Sequence, residues 1–286
     1  MYRLLVLVTG AAGQIAGQIL PTLRKRYECT LTDVRSVDGD GYEVEDVIIL
    51  SLLPNNLDEA RTLFDGQDAV VHLAFDSSMT DRFEGELANI RMAYNVLRLA
   101  SDAGVRRVVI ASSNHAADFY EPSLLRGEID MLTPMEGLRP LSDNLYGWAK
   151  EAYEHLGFVF AAGKVGAVVE NVHIRIGAPR PVGMHGGNNP GESYSFRRNL
   201  GAYISPRDLA QLVVKSIETE DVTNTWGVPW HVVYGISDNT RAFWSIANAR
   251  QVLGYAPEDD SEAIWAEDVR DHVTGKGVTG RIGKHP

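Results

Sequence analysis

The stretch that most limits what this chain can fold into lies near its start. Leu4–Val8 is a run of aliphatic residues, followed at once by Thr9-Gly10-Ala11-Ala12-Gly13-Gln14-Ile15-Ala16-Gly17 and an amphipathic stretch to Arg26. That order reads as strand, tight glycine turn and helix. A second strand, Cys29–Thr32, ends at Asp33 and so places an acid about 20 residues beyond the turn. Gly10 and Gly13 let the backbone turn sharply and approach a pyrophosphate, while the free amides where the helix begins, around Gln14 and Ile15, face the phosphates. Asp33 can accept both ribose hydroxyls of an adenosine half and would repel a 2′-phosphate. The pattern therefore favours NAD over NADP, with Arg35 as an opposing charge.

Further strand-like runs are Val47–Leu50, Ala69–Leu73, Val108–Ala111, Val168–Ile174 and His231–Tyr234, several of them separated by apolar-periodic helical segments. Glu86–Ala103 is one such helix, with Gly104 as its C-cap. Alternation of this kind predicts an α/β fold, a Rossmann-type doubly wound parallel sheet with a small C-terminal substrate-binding region. Residues 1–170 are expected to form mainly the nucleotide-binding domain, 171–265 to complete the sheet and carry the substrate lobe, and 266–286 to be a loosely packed tail. Pro179–Gly191 is rich in proline and glycine and reads as a loop, a candidate lid.

The formal charge of −11 argues against a nucleic-acid partner, which needs a basic surface. With one cysteine, Cys29, there is no intrachain disulfide and no cysteine-rich metal site, and no metal is expected. The Leu4–Val8 run is too short to span a bilayer, so no membrane partner and a cytoplasmic location are expected.

Tyr146-Gly147-Trp148-Ala149-Lys150 puts a phenol and an ammonium four residues apart, on one helix face. A nearby ammonium favours the phenolate, which would make Tyr146 a usable base. Upstream, Ser112-Ser113-Asn114-His115 closes a strand at the carboxyl edge where ligands bind in such sheets, and Ser113 is placed to hold a substrate hydroxyl.

The set Thr9–Gly17, Asp33, His72-Leu73-Ala74, Asn89, Ser112–His115 and Tyr146–Lys150 resembles the extended short-chain dehydrogenase/reductase family over nearly the whole chain. Ser112–His115, Arg175-Ile176-Gly177 and Tyr234–Asn239 narrow the likeness to uronate dehydrogenases and haloarchaeal NAD-dependent glucose-6-phosphate dehydrogenases. Both groups oxidise the C1 hydroxyl of a cyclic sugar to a lactone. The resemblance implies Tyr146 as general base, Lys150 on the nicotinamide ribose and Ser113 orienting the hydroxyl. It also implies cofactor contacts from Leu73, Ala74, Asn89 and Ile176, and sugar contacts from Ser77, Asn114 and His115. Arg198 matches the arginine that grips the carboxylate in uronate enzymes, though its guanidinium suits a phosphate equally. Arg180, Arg197, His173 and His185 are further candidates for a positive pocket. A uronate is thus the first expected substrate, ahead of a sugar phosphate and a neutral aldose. An epimerase and a non-catalytic dinucleotide sensor are the other readings. Family habit adds a homodimer built on Glu86–Ala103 and Leu145–Ala162. Three departures stand out: Ala16 at the third glycine position, no aspartate in Ser51–Leu53 near adenine, and Ala178 with a long following loop where uronate enzymes have a serine.

Overall fold

The computed structural model describes residues 3–53, 57–131, 133–134, 139–182 and 190–274. Seven strands among them form one parallel sheet: β1 (Leu5–Thr9), β2 (Glu28–Asp33), β3 (Val47–Ile49), β4 (Ala69–His72), β5 (Arg107–Ser113), β6 (Glu170–Ile176) and β7 (Trp230–Gly235). Their order is β3-β2-β1-β4-β5-β6-β7. The chain winds outward from β1 to β3, then returns to start β4 on the other side of β1. This reversal opens a crevice at the carboxyl ends of β1 and β4, where ligands bind in open α/β sheets.

Helices cover both faces, because β1, β4, β5, β6 and β7 are buried along nearly their whole length. On one face α1 (Gln14–Arg26) and α7 (Pro206–Glu218) bury Ile19, Leu23, Leu209 and Val213 against Val6, Val8 and Ile174. On the other lie α2 (Asp58–Phe64), α3 (Phe83–Ala103) and α5 (Leu145–Ala161), with Val96, Leu97 and Tyr153 against Leu7, Val70 and Ile110. Gly104 ends α3 with φ of 70°, the left-handed C-cap expected there.

Strand ends differ from the sequence reading by at most two residues, and for β5 the difference has a cause. Arg107 starts the strand although it is a cation. It is only 1% exposed, and its guanidinium donates to Glu170 and to the carbonyls of Ser216 and Thr219. At the other end, pairing runs on to Ser113 against Ile176, so Ser113 is the last strand residue.

Beyond β5 come a 3₁₀ turn at Asn114–Tyr120 and the short α4 (Glu121–Leu125). The C-terminal region adds α6 (Pro190–Ala202), α8 (Ala247–Leu253), α9 (Ser261–Ile264) and α10 (Ala266–Thr274). Two expectations are corrected here. The end of the Pro179–Gly191 stretch is helical from Pro190, whose fixed φ suits a first turn; residues 183–189, with His185, lie outside the described residues. The tail expected from 266 begins as α10, because Val269 finds an apolar nest with Phe196, Leu200 and Tyr203. No helix among the described residues is long and apolar enough to cross a membrane.

Candidate active site

The crevice between β1 and β4 holds a cavity of about 400 Å³ lined by Gly10, Gly13, Asp33, Leu73, Ala74 and Phe75, among others. Gly10 has φ of 72°, and its amide and that of Ala11 donate to Thr32 O at 2.9 and 3.2 Å. A Cβ on Gly10 would lie 2.5 Å from the Ala74 nitrogen, so only glycine lets the two strand ends meet. Gly13 caps α1 with no side-chain hydrogen bond, leaving the first amides of the helix, around Gln14 and Ile15, to a ligand. Ala16 is fully buried at the third motif position, and nothing described lies within 4 Å of a Cβ on Gly17; alanine is the residue that packs there.

Asp33 ends β2 with Oδ2 accepting from Ala12 N at 2.9 Å and Oδ1 from Val34 N at 2.7 Å, which aims the carboxylate into the cavity beside Arg35. Where the family's adenine-side aspartate is missing, Leu50, Leu52, Leu53 and Met92 form an apolar slot. Cradle, amides, acid and slot fit a dinucleotide.

Two carboxylates and an asparagine fix the start of α5, which carries Tyr146. Asn144 Oδ1 accepts from Gly147 N at 2.8 Å, and Asp81 Oδ1 accepts from Leu145 N at 2.7 Å and Tyr146 N at 3.3 Å. Asp81 holds a left-handed φ of 61°, and its own amide donates to the buried Glu86 at 2.9 Å. The Tyr146 hydroxyl lies beside Ser113, near enough for the serine to act on its charge, and its ring meets Phe75 and His115 edge-on, with centroids 5.4 and 5.6 Å apart.

The expectation that Lys150 lowers the Tyr146 pKa is not met in this structure. Burial pushes the phenol upward, the neighbouring Ser113 offsets part of the rise, and the field of Glu86 adds to it. Lys150 Nζ instead donates to Ala111 O at 3.1 Å and rests over the rings of Tyr153 and Phe75, 4.5 and 4.7 Å from their centroids. Burial, against the attraction of Glu86 and Glu154, brings Lys150 down to about 7 from 10.5. A lysine so depressed gives up its proton more readily folded than unfolded. Its contribution to stability is full above the ordinary lysine range and is lost as the pH falls toward 7. Lys150→Met cannot titrate, so wild type should gain roughly 2 kcal/mol on that variant between about pH 7 and pH 9. Urea denaturation at the two pH values checks this; parallel curves for the two proteins would mean that Lys150 is an ordinary ammonium.

At the substrate end the structure rearranges the expected contacts. His115 is 42% exposed, with Nδ1 2.7 Å from Asp118 Oδ2 and its ring against Tyr146. Burial would raise the Asp118 carboxyl, but bonds to His115, Asn144 and Ser142 leave it below the usual range. Asn114 is 1% exposed and donates through Nδ2 to Glu121 Oε1 at 2.7 Å, so it positions Glu121, while its buried Oδ1 has no hydrogen-bond partner among the described residues. Arg198 makes a two-point pair with that same Glu121, Nε to Oε2 and Nη2 to Oε1, both at 2.9 Å. The grip assigned to Arg198 is therefore taken by a side chain of the protein itself. Ser77 lines the nucleotide cavity rather than a separate sugar pocket. Asn89 is buried with both amide atoms bonded to the Asp76 backbone, at 2.8 and 3.1 Å; it shapes the loop after β4 and does not line the cavity. Ile176, 7% exposed, ends β6 beside Ser113. Among the described residues no positive pocket gathers around Arg198: His173 is buried beside Asn171 and held neutral by burial, its pKa down to about 3, while Arg180 and Arg197 are exposed.

A family model described as the NAD dependent epimerase/dehydratase family matches residues 6–169, more than half of the 286-residue chain. The chain belongs to that family. This epimerase/dehydratase-family protein is 32% identical over 273 residues to the NAD-dependent glucose-6-phosphate dehydrogenase of Haloferax volcanii, covering 92% of this chain and 96% of the relative. It is also 32% identical to the uronate dehydrogenase of Pseudomonas syringae pv. tomato, with 92% of this chain and 84% of the relative covered. Among solved structures, glucuronic acid dehydrogenase from Chromohalobacter salexigens is similar, with a TM-score of 0.73, 26% identity, and 100% and 92% of the two chains covered. The family resemblance, the Rossmann-type fold, the NAD cofactor and the oxidoreductase class expected from the sequence are borne out.

Sequence reasoning missed Phe75, Asp81, Glu86 and Glu121. The first three carry no motif, since their roles come from where the segment between β4 and α3, and the first turn of α3 with Glu86, meet α5. Glu121 left no signal either, since its partner Arg198 lies 77 residues away on another element.

Proposed function

We propose that this protein oxidises the C1 hydroxyl of a cyclic sugar to the lactone with NAD, Tyr146 acting as the base. The approach of Ser113 to the Tyr146 hydroxyl carries the reading, because it brings a proton acceptor and a hydroxyl-orienting group together beside Phe75, which lines the dinucleotide cavity and meets the Tyr146 ring edge-on. When bound, NAD supplies the hydride acceptor for the hydrogen on C1. Ser113 orients the sugar hydroxyl, and Tyr146 takes its proton as the C1–O bond gains carbonyl character. Lys150 holds the nicotinamide ribose, with Ile176, Leu73 and Ala74 along the cofactor. Phe75 and Tyr153 keep water from Lys150. The similarity to enzymes named for uronates and for glucose 6-phosphate supports a sugar substrate. Exposed Phe83, Leu87, Tyr94 and Trp148 on α3 and α5, with Phe83 stacked on Trp148, suit a homodimer face.

The test is NADH absorbance with glucuronate, galacturonate, glucose 6-phosphate, glucose, galactose and fucose, each with NAD and with NADP. Turnover of a sugar is expected, with kcat/KM for NAD at least about tenfold above NADP because Asp33 faces the ribose end. Tight NAD binding without turnover across the panel would favour a dinucleotide sensor, and equal use of NADP would mean that Arg35 overrides Asp33.

A further inference from the structure

The Glu121–Arg198 pair ties α4 to α6 beside Asn114, in a way the sequence does not announce. Both oxygens of Glu121 are engaged: Oε2 by Arg198 Nε at 2.9 Å, Oε1 by Arg198 Nη2 at 2.9 Å and by Asn114 Nδ2 at 2.7 Å. The side chains are only 12% and 8% exposed, so solvent and salt screen them little. Asn114 directly follows Ser113, the residue beside the Tyr146 hydroxyl, so the pair is connected to the reacting end through adjacent residues. The neighbouring Arg126 is bonded to Glu128, and His115 to Asp118.

Arg198 uses its Nε–Nη2 edge on Glu121, one of the guanidinium edges that meets a carboxylate with two parallel bonds. A substrate carboxylate or phosphate arriving here meets a net-neutral pair with a carboxylate at its edge. To make a two-point contact through that edge it has to displace Glu121, which also breaks the Asn114 bond and leaves an anion buried without its cation. A sugar hydroxyl has no such conflict, because it can donate to a Glu121 oxygen or accept from a remaining guanidinium N–H with the pair intact.

We infer that Glu121 is a specificity-determining residue that cancels Arg198 and tunes this site to a sugar whose end distant from C1 is uncharged, a neutral aldose in preference to a uronate or sugar phosphate. The inference deepens the proposed C1 oxidation and relies on it for its kinetic readout; its binding readout stands apart.

The experiment measures kcat/KM with NAD, and dissociation constants by calorimetry on the NADH-loaded protein, for glucose, galactose, glucuronate, galacturonate and glucose 6-phosphate. Wild type, Glu121→Gln and the charge-free pair Glu121→Gln with Arg198→Gln are compared. Wild type should prefer the neutral sugars by about tenfold or more. Glu121→Gln, isosteric but uncharged, frees Arg198 and should shift the neutral-to-anionic ratio toward the anion by about 100-fold. The double variant, which leaves neither charge exposed should the single one fold poorly, should return a ratio between the two. Glucuronate, galacturonate or glucose 6-phosphate winning in wild type and weakening in Glu121→Gln would overturn the inference while leaving C1 oxidation standing. If no sugar is oxidised, C1 oxidation fails, and the binding ratios alone decide on Glu121: unchanged ratios across the three proteins would overturn its role too.

Discussion

Tyr146→Phe is expected to cut kcat by about 10²- to 10⁴-fold while NAD affinity stays at its wild-type level. The ring that packs edge-on against Phe75 and His115 is kept, so the cleft retains its shape. What is lost is the phenol oxygen beside Ser113, the group proposed to take the proton of the sugar hydroxyl. Because burial lifts the phenol above its ordinary range, the phenolate fraction limits the wild-type rate at neutral pH, and kcat/KM should rise with pH as Tyr146 ionises. The variant has no such group, so its residual rate should lose that rise. Steady-state kinetics from about pH 6 to pH 10 reads both effects. A variant with near-normal kcat, or with the same pH profile, would mean that another base does the work.

The nucleotide half of the molecule was legible because its constraints are local. Gly10, Gly13 and Asp33 lie on one continuous strand-turn-helix-strand segment, so their spacing alone fixes their relation in space. Seven strands were found in sequence because buried parallel strands leave apolar runs, and the start of β5 was missed because Arg107 is a cation buried through long-range bonds. The substrate half was less legible for the opposite reason. Glu121 and Arg198 are 77 residues apart, and neither has a pattern around it that names the other as partner. Arg198 resembled an anion grip in type and position, and the acid that occupies it comes from a different element. The behaviour of Lys150 has the same origin: four-residue spacing puts it on the face of Tyr146, but its burial beneath Phe75 and Tyr153 decides its charge. Asp81 shows how far such effects reach, since a residue outside any motif holds the first amides of the catalytic helix.

Gly10→Ala is expected to be the most damaging single change outside the catalytic residues, and Gly17→Ala in the same motif one of the mildest. At Gly10 an alanine pays twice. Its φ of 72° is left-handed, which costs an L-residue about 1–2 kcal/mol. Its Cβ would also lie 2.5 and 2.6 Å from the nitrogen and Cα of Ala74, which are backbone atoms that no rotamer change can move aside. The β1 and β4 ends would have to part, and the Gly10 and Ala11 bonds to Thr32 O, which set the turn beside Asp33, would be strained with them. The combined loss of folding stability should be about 3–4 kcal/mol, drawn from the left-handed backbone and the steric overlap together. NAD affinity should fall by about 100-fold or more as the phosphate cradle opens. Gly17 lies inside α1, where a Cβ meets nothing described within 4 Å, and there alanine should raise stability by about 0.5–1 kcal/mol with NAD affinity unchanged. Urea denaturation and NAD calorimetry on the two variants separate a glycine required by close backbone approach from one merely tolerated in a helix. Equal, small effects from both would mean that the β1–β4 crevice is not the place where the cofactor is held.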